Sequence, residues 1–284
     1  MDDLQTFLKV REMLANFLEE DIGTGDITSD NTIPNGLAAK GSIVCKSRSA
    51  IVCGLEEASI LFDICGCKSQ ILVTDGSPVM KGIVVMKVSG EGRSILKAER
   101  TALNVIMRMS GIATETRRLS DLAGGGVTIL ATRKTAPGLR YFDKKAVVLG
   151  GGASHRMRLD EMVLIKDNHL ALAGDVEKCV RFVKKNIGSS VKVECEVRNK
   201  EEALAAITAG SDIIMLDNFT PEQAQDTIRR IAKIGLRRRV KIELSGGINK
   251  KNIKQYSRSK PDFISLGYIT HSIKAIDFSL ELMK

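Results

Sequence analysis

The 284-residue chain contains no tryptophan, and tyrosine and phenylalanine together supply only 4% of it. Stacking platforms for bases are therefore scarce, which weighs against nucleic-acid binding despite a formal charge of +9. The one dense basic run, Arg237-Arg238-Arg239, reads as an exposed loop between a helix and a strand. No apolar run approaches the roughly 18 residues that a membrane span needs, and Met1-Asp2-Asp3 is acidic where a signal peptide is basic, so the expected location is the cytoplasm. Paired C-x2-C spacing is missing too. The six cysteines, Cys45, Cys53, Cys65, Cys67, Cys179 and Cys195, are accordingly read as small buried thiols. Only three histidines occur, His155, His169 and His271, and their spacing fits no metal triad.

What is present begins with an amphipathic helix over the first twenty residues, where Leu4, Phe7, Leu8, Met13, Leu14, Phe17 and Leu18 recur at helical spacing. From Gly41 to about Ser89 the chain is rich in Val and Ile with glycine punctuation. That pattern predicts several short strands with a helix over 55–62 between them, a small α+β unit. Near Ser94 the period lengthens to that of a helix carrying Glu99 and Arg100, the latter a surface arginine on a mixed face. A separate helix is expected over 113–122, before Gly124-Gly125-Gly126, and the division predicted is 1–112 and 113–272.

Beyond the glycines, strand-like and helix-like segments alternate, which argues for parallel strands joined by helical crossovers. Strands are predicted over 127–131, 162–165, 191–195, 213–216, 241–244 and 263–266, and helices over 176–185, 200–209 and 221–234. Each strand is followed at once by a residue suited to chemistry: Lys134, Lys166, Glu196, Asp217, Ser245 with Gly246 and Gly247, and Gly267. The separations of 32, 30, 21, 28 and 22 residues suit successive β/α units. Parallel strands of a barrel end at one mouth, so these six positions converge on a single cleft.

That cleft carries an unusual density of positive charge. Arg133 and Lys134 follow the first strand, Lys166 the second, and His155 with Arg156 lie between them, a set suited to a multiply anionic ligand. Ser245-Gly246-Gly247 and Leu266-Gly267-Tyr268 occupy the usual place of a barrel phosphate site. Glu196 and Asp217 suit Mg2+ or the stabilisation of a cationic sugar transition state, with Glu194 deeper on the same strand face. Lys134 and Lys166 fit either Schiff-base nucleophiles or cationic clamps, and the neighbouring carboxylates favour clamps by keeping the amines charged.

The segments ERTALN, TRKTAPGLR, GGGASHRMRLDEMVLIKDNH, IIMLDNF, IELSGGI and ISLGYITHS, with DIGTGDITS upstream, resemble the quinolinate phosphoribosyltransferase family from about residue 20 to residue 272. The resemblance implies an open α/β barrel preceded by a small α/β sandwich domain to which the tail 273–284 returns. It implies transfer of phosphoribosyl from 5-phosphoribosyl 1-diphosphate to quinolinate with loss of carbon dioxide, in NAD biosynthesis, with Mg2+. It also implies a homodimer or multiple of dimers in which Arg100 reaches the partner's barrel. By motif, Arg100, Thr132, Arg133, His155 and Arg156 would meet quinolinate, while Lys134, Lys166, Glu196 and Asp217 would surround the ribose, diphosphate and metal. Ser245 to Gly247 and Leu266 to Tyr268 would bind phosphate. Ala153-Ser154 and Arg158 depart from the usual pattern around the HR pair. Rival readings are a paralogue of the same fold, a Schiff-base lyase and a basic nucleic-acid-binding protein; the intact IKDNH and ERTALN segments favour the quinolinate family.

Overall fold

A computed structural model describes residues 3–283. Two compact units divide the chain: one runs to Glu115 and includes Ala136–Gly150 and the segment from Ser272, and the other comprises Thr116–Thr135 and Gly151–His271. The strands are β1 (Ala38–Cys45), β2 (Ser49–Ile51), β3 (Lys68–Ile71), β4 (Pro78–Met80), β5 (Val84–Glu91), β6 (Thr128–Ala131), β7 (Ala153–Ser154), β8 (Val163–Ile165), β9 (Val193–Val197), β10 (Ile213–Asp217), β11 (Lys241–Ser245), β12 (Phe263–Leu266) and β13 (Phe278–Met283).

In the first unit the sheet order is β13-β1-β5-β3 with antiparallel pairing, and β2 pairs with β4 beside it. Ile43, Cys45, Val85 and Met86 are buried in this sheet, and the helices Asp3–Ile22 and Leu55–Ile64 are buried at Leu14, Leu18, Leu61 and Phe62. Residues 136–150 belong here for a visible reason. In the helix Arg140–Leu149, the Phe142 ring lies 5.6 Å from that of Phe17, and the fully buried Asp143 carboxylate takes a two-pronged ion pair from Arg108 at 2.7 and 2.9 Å. The first compact unit thus takes in a helix beyond the expected division at 112/113, because that helix carries the partners of Phe17 and Arg108. Another difference concerns α-helical length: the two helices expected over 94–122 form one 32-residue helix, Gly92–Ala123. Gly111 lies within it, at a point where the backbone at Lys274 and Ala275 comes too close for a Cβ.

The second unit is an open α/β barrel. Its seven strands are all parallel, in the order β7-β6-β12-β11-β10-β9-β8, and β7 and β8 remain edges. Helices Val176–Asn186, Lys200–Ala209 and Pro221–Lys233 make crossovers; the last opens with the expected Thr220 cap and Pro221, completed by Gln223 reaching back to the Thr220 N–H. The third strand is displaced from 191–195 to Val193–Val197, so Glu196 lies inside it and not after it. Lys192 instead serves a pairing at the strand's entrance.

That pairing recurs. Asp212 accepts from the Val193 N–H at 2.9 Å and from Lys184 and Lys192, and Asp262 accepts from the Ile242 N–H at 2.9 Å and pairs with Lys241 and Arg237. Each aspartate just before one strand thus fastens the start of its neighbour, and Arg237 of the basic run is spent here. Five cysteines are buried and Cys65 is half-buried, and none is bonded to another. Burial pushes the Cys67 thiol up to about 11 and the Cys195 thiol up to about 12, which keeps both uncharged.

Burial alone would raise the Asp212 carboxyl, but Lys184, the Val193 N–H and Lys192 together hold it below the ordinary aspartate range. Its contribution to stability is therefore present above the unfolded-state value of about 3.9 and is lost as pH falls through the lower folded-state value. Asp212→Asn should cost about 1–2 kcal/mol at neutral pH in urea denaturation, with the difference from wild type narrowing below about pH 4. A difference that persists unchanged into acid would contradict this account.

Candidate active site

Side chains two residues apart on a strand share a face, so each barrel strand sends its last inward residue and the one two places earlier to the same side. On β9, β10 and β11 those pairs are Glu194 and Glu196, Met215 and Asp217, and Glu243 and Ser245, while Thr132 with Lys134, Lys166 and Gly267 lie just beyond the ends of β6, β8 and β12. Register places Glu196, Met215 and Glu243 side by side, and Asp217 beside Ser245. A pocket of about 400 Å³ opens over them, lined by Lys134, Lys166, Glu196, Asp217 and Ser245 together with Thr132, Arg133, His155 and Arg156. Five of the six positions expected to converge, Lys134, Lys166, Glu196, Asp217 and Ser245, thus line one pocket, and Gly267 is not among its lining residues.

Charge inside the pocket is paired in part. Lys166 Nζ lies 2.8 Å from Glu196 Oε2, and Asp217 accepts from Asn218 Nδ2 at 2.6 Å. Burial, and then repulsion from Glu196, raises the Asp217 carboxyl above its ordinary value, with Lys166 and Lys134 acting against that rise. On the other side, burial and then the neighbouring Arg133 charge lower the Arg156 guanidinium. Two arginines near enough to repel, with Arg133 Nε buried and unbonded, are an arrangement suited to an anion. Arg156 is steadied by its Nη1 bond to the Met162 carbonyl at 3.0 Å.

Several expected residues stand elsewhere. Arg100 is exposed on the helix Gly92–Ala123 of the first unit and does not line this pocket. The Leu266 side chain is in the core, on the strand face opposite Ser265. Gly246 and Gly247 turn the chain after β11 with φ of +89° and +62°. Gly267 gives room to Lys134, whose Cδ would lie 2.9 Å from an added Cβ. His155, expected to face an anion, directs Nε2 to Glu194 Oε2 at 2.8 Å while its ring lines the pocket. His169 has a structural part: Nδ1 accepts the Lys166 N–H at 2.9 Å and caps the helix Asp167–Ala173, an element not among the predicted helices.

Glu243, Met215, Leu164 and Ser265 line the pocket and were missed. The signal was period two. Glu243 precedes Ser245 just as Glu194 precedes Glu196, but an isolated glutamate inside an apolar strand looks ordinary until its neighbours' register is known.

The chain matches the family model "Quinolinate phosphoribosyl transferase, N-terminal domain" over residues 26–110 and "Quinolinate phosphoribosyl transferase, C-terminal domain" over residues 112–281. It is 42% identical over 278 residues to a protein of Methanocaldococcus jannaschii named probable nicotinate-nucleotide pyrophosphorylase [carboxylating], covering 96% of this chain and 97% of that one. A Bacillus subtilis protein with the same name is 37% identical over 97% of this chain and 94% of its own length. The solved nicotinate-nucleotide pyrophosphorylase of Francisella tularensis superposes with a TM-score of 0.89 at 38% identity, covering 96% of each chain.

The turn after β11 provides a test. A Cβ on Gly246 would lie 2.2 Å from Asn218 Oδ1 and 2.7 Å from the Asn218 backbone nitrogen, whereas one on Gly247 meets nothing within 4 Å. Gly246→Ala should therefore destabilise by about 2–4 kcal/mol, from collision added to left-handed strain, and Gly247→Ala by only about 1 kcal/mol. The reverse order in thermal or urea denaturation would refute the turn geometry.

Proposed function

The chain belongs to the quinolinate phosphoribosyl transferase family, and from that premise we propose that it transfers phosphoribosyl from 5-phosphoribosyl 1-diphosphate to quinolinate, giving nicotinate mononucleotide, diphosphate and carbon dioxide. The observation that carries this reading is the joint presence, in one pocket, of the repelling Arg133 and Arg156 pair and the Lys166–Glu196–Asp217 cluster.

Quinolinate carries two carboxylates, and planar guanidinium groups match carboxylates in bidentate fashion. Arg133 and Arg156, with Thr132 and His155 beside them and Arg100 supplied by the partner subunit, hold the ring so that its nitrogen faces the anomeric carbon. As diphosphate departs, positive charge builds on the sugar and negative charge on the leaving oxygens. Glu196 and Asp217 answer the first, and Lys134 and Lys166 answer the second. The turns Ser245 to Gly247 and Leu266 to Tyr268 take the phosphate ends. Attack by nitrogen at the anomeric carbon breaks the bond to diphosphate and makes a pyridinium, whose charge stabilises the carbanion left when the adjacent carboxylate leaves as carbon dioxide, and that carbon then takes a proton from water.

Mg2+ belongs to this reading. Asp217 lies close enough to Glu196 for that carboxylate to oppose its ionisation, and the two offer a donor set of oxygens that suits a hard divalent cation. Bound there or through the substrate's diphosphate, it would offset charge on the departing oxygens. The enzyme works in the cytoplasm as a homodimer or multiple of dimers with sites shared between subunits.

With Mg2+, the purified chain should release carbon dioxide and diphosphate in equal amounts from quinolinate and leave nicotinate unreacted. Equal turnover of nicotinate would refute the specificity. Arg100→Ala and Lys166→Ala should each abolish most activity, and mixed dimers of the two should regain part of it. A mixture no more active than its components would contradict the shared site.

A further inference from the structure

The floor of the pocket carries groups that this chemistry leaves without a task. Glu194 and Glu243 project from β9 and β11 with side chains wholly buried. His155 joins them: Nε2 is 2.8 Å from Glu194 Oε2 and 3.8 Å from Glu243 Oε2. One donor atom from each of the three falls within 4.8 Å of the others. Yet Oε1 of Glu194 and both oxygens of Glu243 have no hydrogen-bond partner. Two full carboxylate charges, dry and facing one imidazole, carry a desolvation cost that a single ion pair does not offset.

The surroundings relieve Glu194, which the Arg156 guanidinium attracts, but give Glu243 little. Lys166, at the end of β8, is the cation that acts on Glu243, but its ammonium is engaged by Glu196 of β9. From β12 comes the Ser265 hydroxyl and from β10 the thioether of Met215, with Asp217 above it. Burial, and then the Glu194 charge, hold the Glu243 carboxyl well above the usual carboxylate range, and Ser265 and Lys166 do not outweigh them.

We propose that Glu243 stands in the folded enzyme as a neutral carboxylic acid facing the Glu194 carboxylate, and that the two are positioning residues for His155 beneath the bound pyridine dicarboxylate. The proposal rests on the pocket being the quinolinate site. A floor with one buried charge and not two avoids repelling a dianionic ligand, while Glu194 fixes the orientation and tautomer of the imidazole. The opposite arrangement, a divalent metal ion on His155, Glu194 and Glu243, requires Glu243 to be ionised. The two arrangements differ in the state of one proton.

Infrared spectroscopy reads that proton directly, without substrate. At about pH 8, where ordinary carboxyl groups are ionised, the wild-type enzyme should show the carbonyl band of a neutral buried acid, and Glu243→Gln should remove it. No such band, a band indifferent to the substitution, or zinc bound stoichiometrically by the wild-type protein and lost in Glu243→Gln would each overturn the proposal. Turnover supplies the positioning readout. Glu243→Ala and Glu194→Gln should each raise the KM for quinolinate about tenfold with a smaller change in kcat, the size expected for one lost charge-assisted hydrogen bond. Glu243→Gln, which keeps a neutral donor of the same shape, should recover most of the loss seen with alanine. A glutamine variant no better than the alanine variant would show that ionised Glu243 is required. A chain inactive toward quinolinate would refute the function while leaving the infrared result to decide the state of Glu243.

Discussion

Strands that all run in one direction deliver their C-terminal ends to one edge of the sheet, and the whole site depends on that constraint. Residues 134, 166, 196, 217 and 245 lie far apart in the chain and line one pocket because β6, β8, β9, β10 and β11 are parallel and in register. Lys166 Nζ comes to 2.8 Å from Glu196 Oε2 across 30 residues of sequence for the same reason. The price is electrostatic. Charges gathered at one edge repel where they are alike, as Arg133 and Arg156 do, and a multiply anionic ligand relieves that repulsion.

The other end of the barrel uses charge differently. Asp212 and Asp262 there are surrounded by cations and backbone N–H groups of the chain itself, and their carboxyls lie below the ordinary range. At the ligand end, Asp217 is raised and Glu243 more so. One sheet therefore separates acids whose needs are met within the fold from acids held in tension at its functional edge. That division matches what barrels do generally, with stability concentrated at the bottom and chemistry at the top.

Much of this was legible in the sequence, and the limits have physical causes. Alternation of apolar runs with helical segments located six of the seven barrel strands, and the residues after them identified Lys134, Lys166, Asp217 and Ser245 as one group. The two-residue strand Ala153–Ser154 escaped because it has no periodicity to detect. Helix Gly92–Ala123 was expected as two helices, and Gly111 within it marks a close approach by the backbone at Lys274, a tertiary contact that sequence spacing does not show. Glu243 was passed over because burial, and not residue type, makes it unusual. Arg100 could be given a role only through family resemblance, as nothing local distinguishes it from any exposed arginine.

The central claim is that the paired arginines of this pocket receive a dicarboxylate. Benzene-1,2-dicarboxylate, which has the shape and charge of quinolinate but no ring nitrogen, tests it without any reaction. A crystal structure with this compound should place its carboxylates against Arg133 and Arg156 over His155, and titration calorimetry should show much weaker binding of benzoate. Benzoate binding equally well, or a dicarboxylate seated away from those two guanidinium groups, would contradict the account.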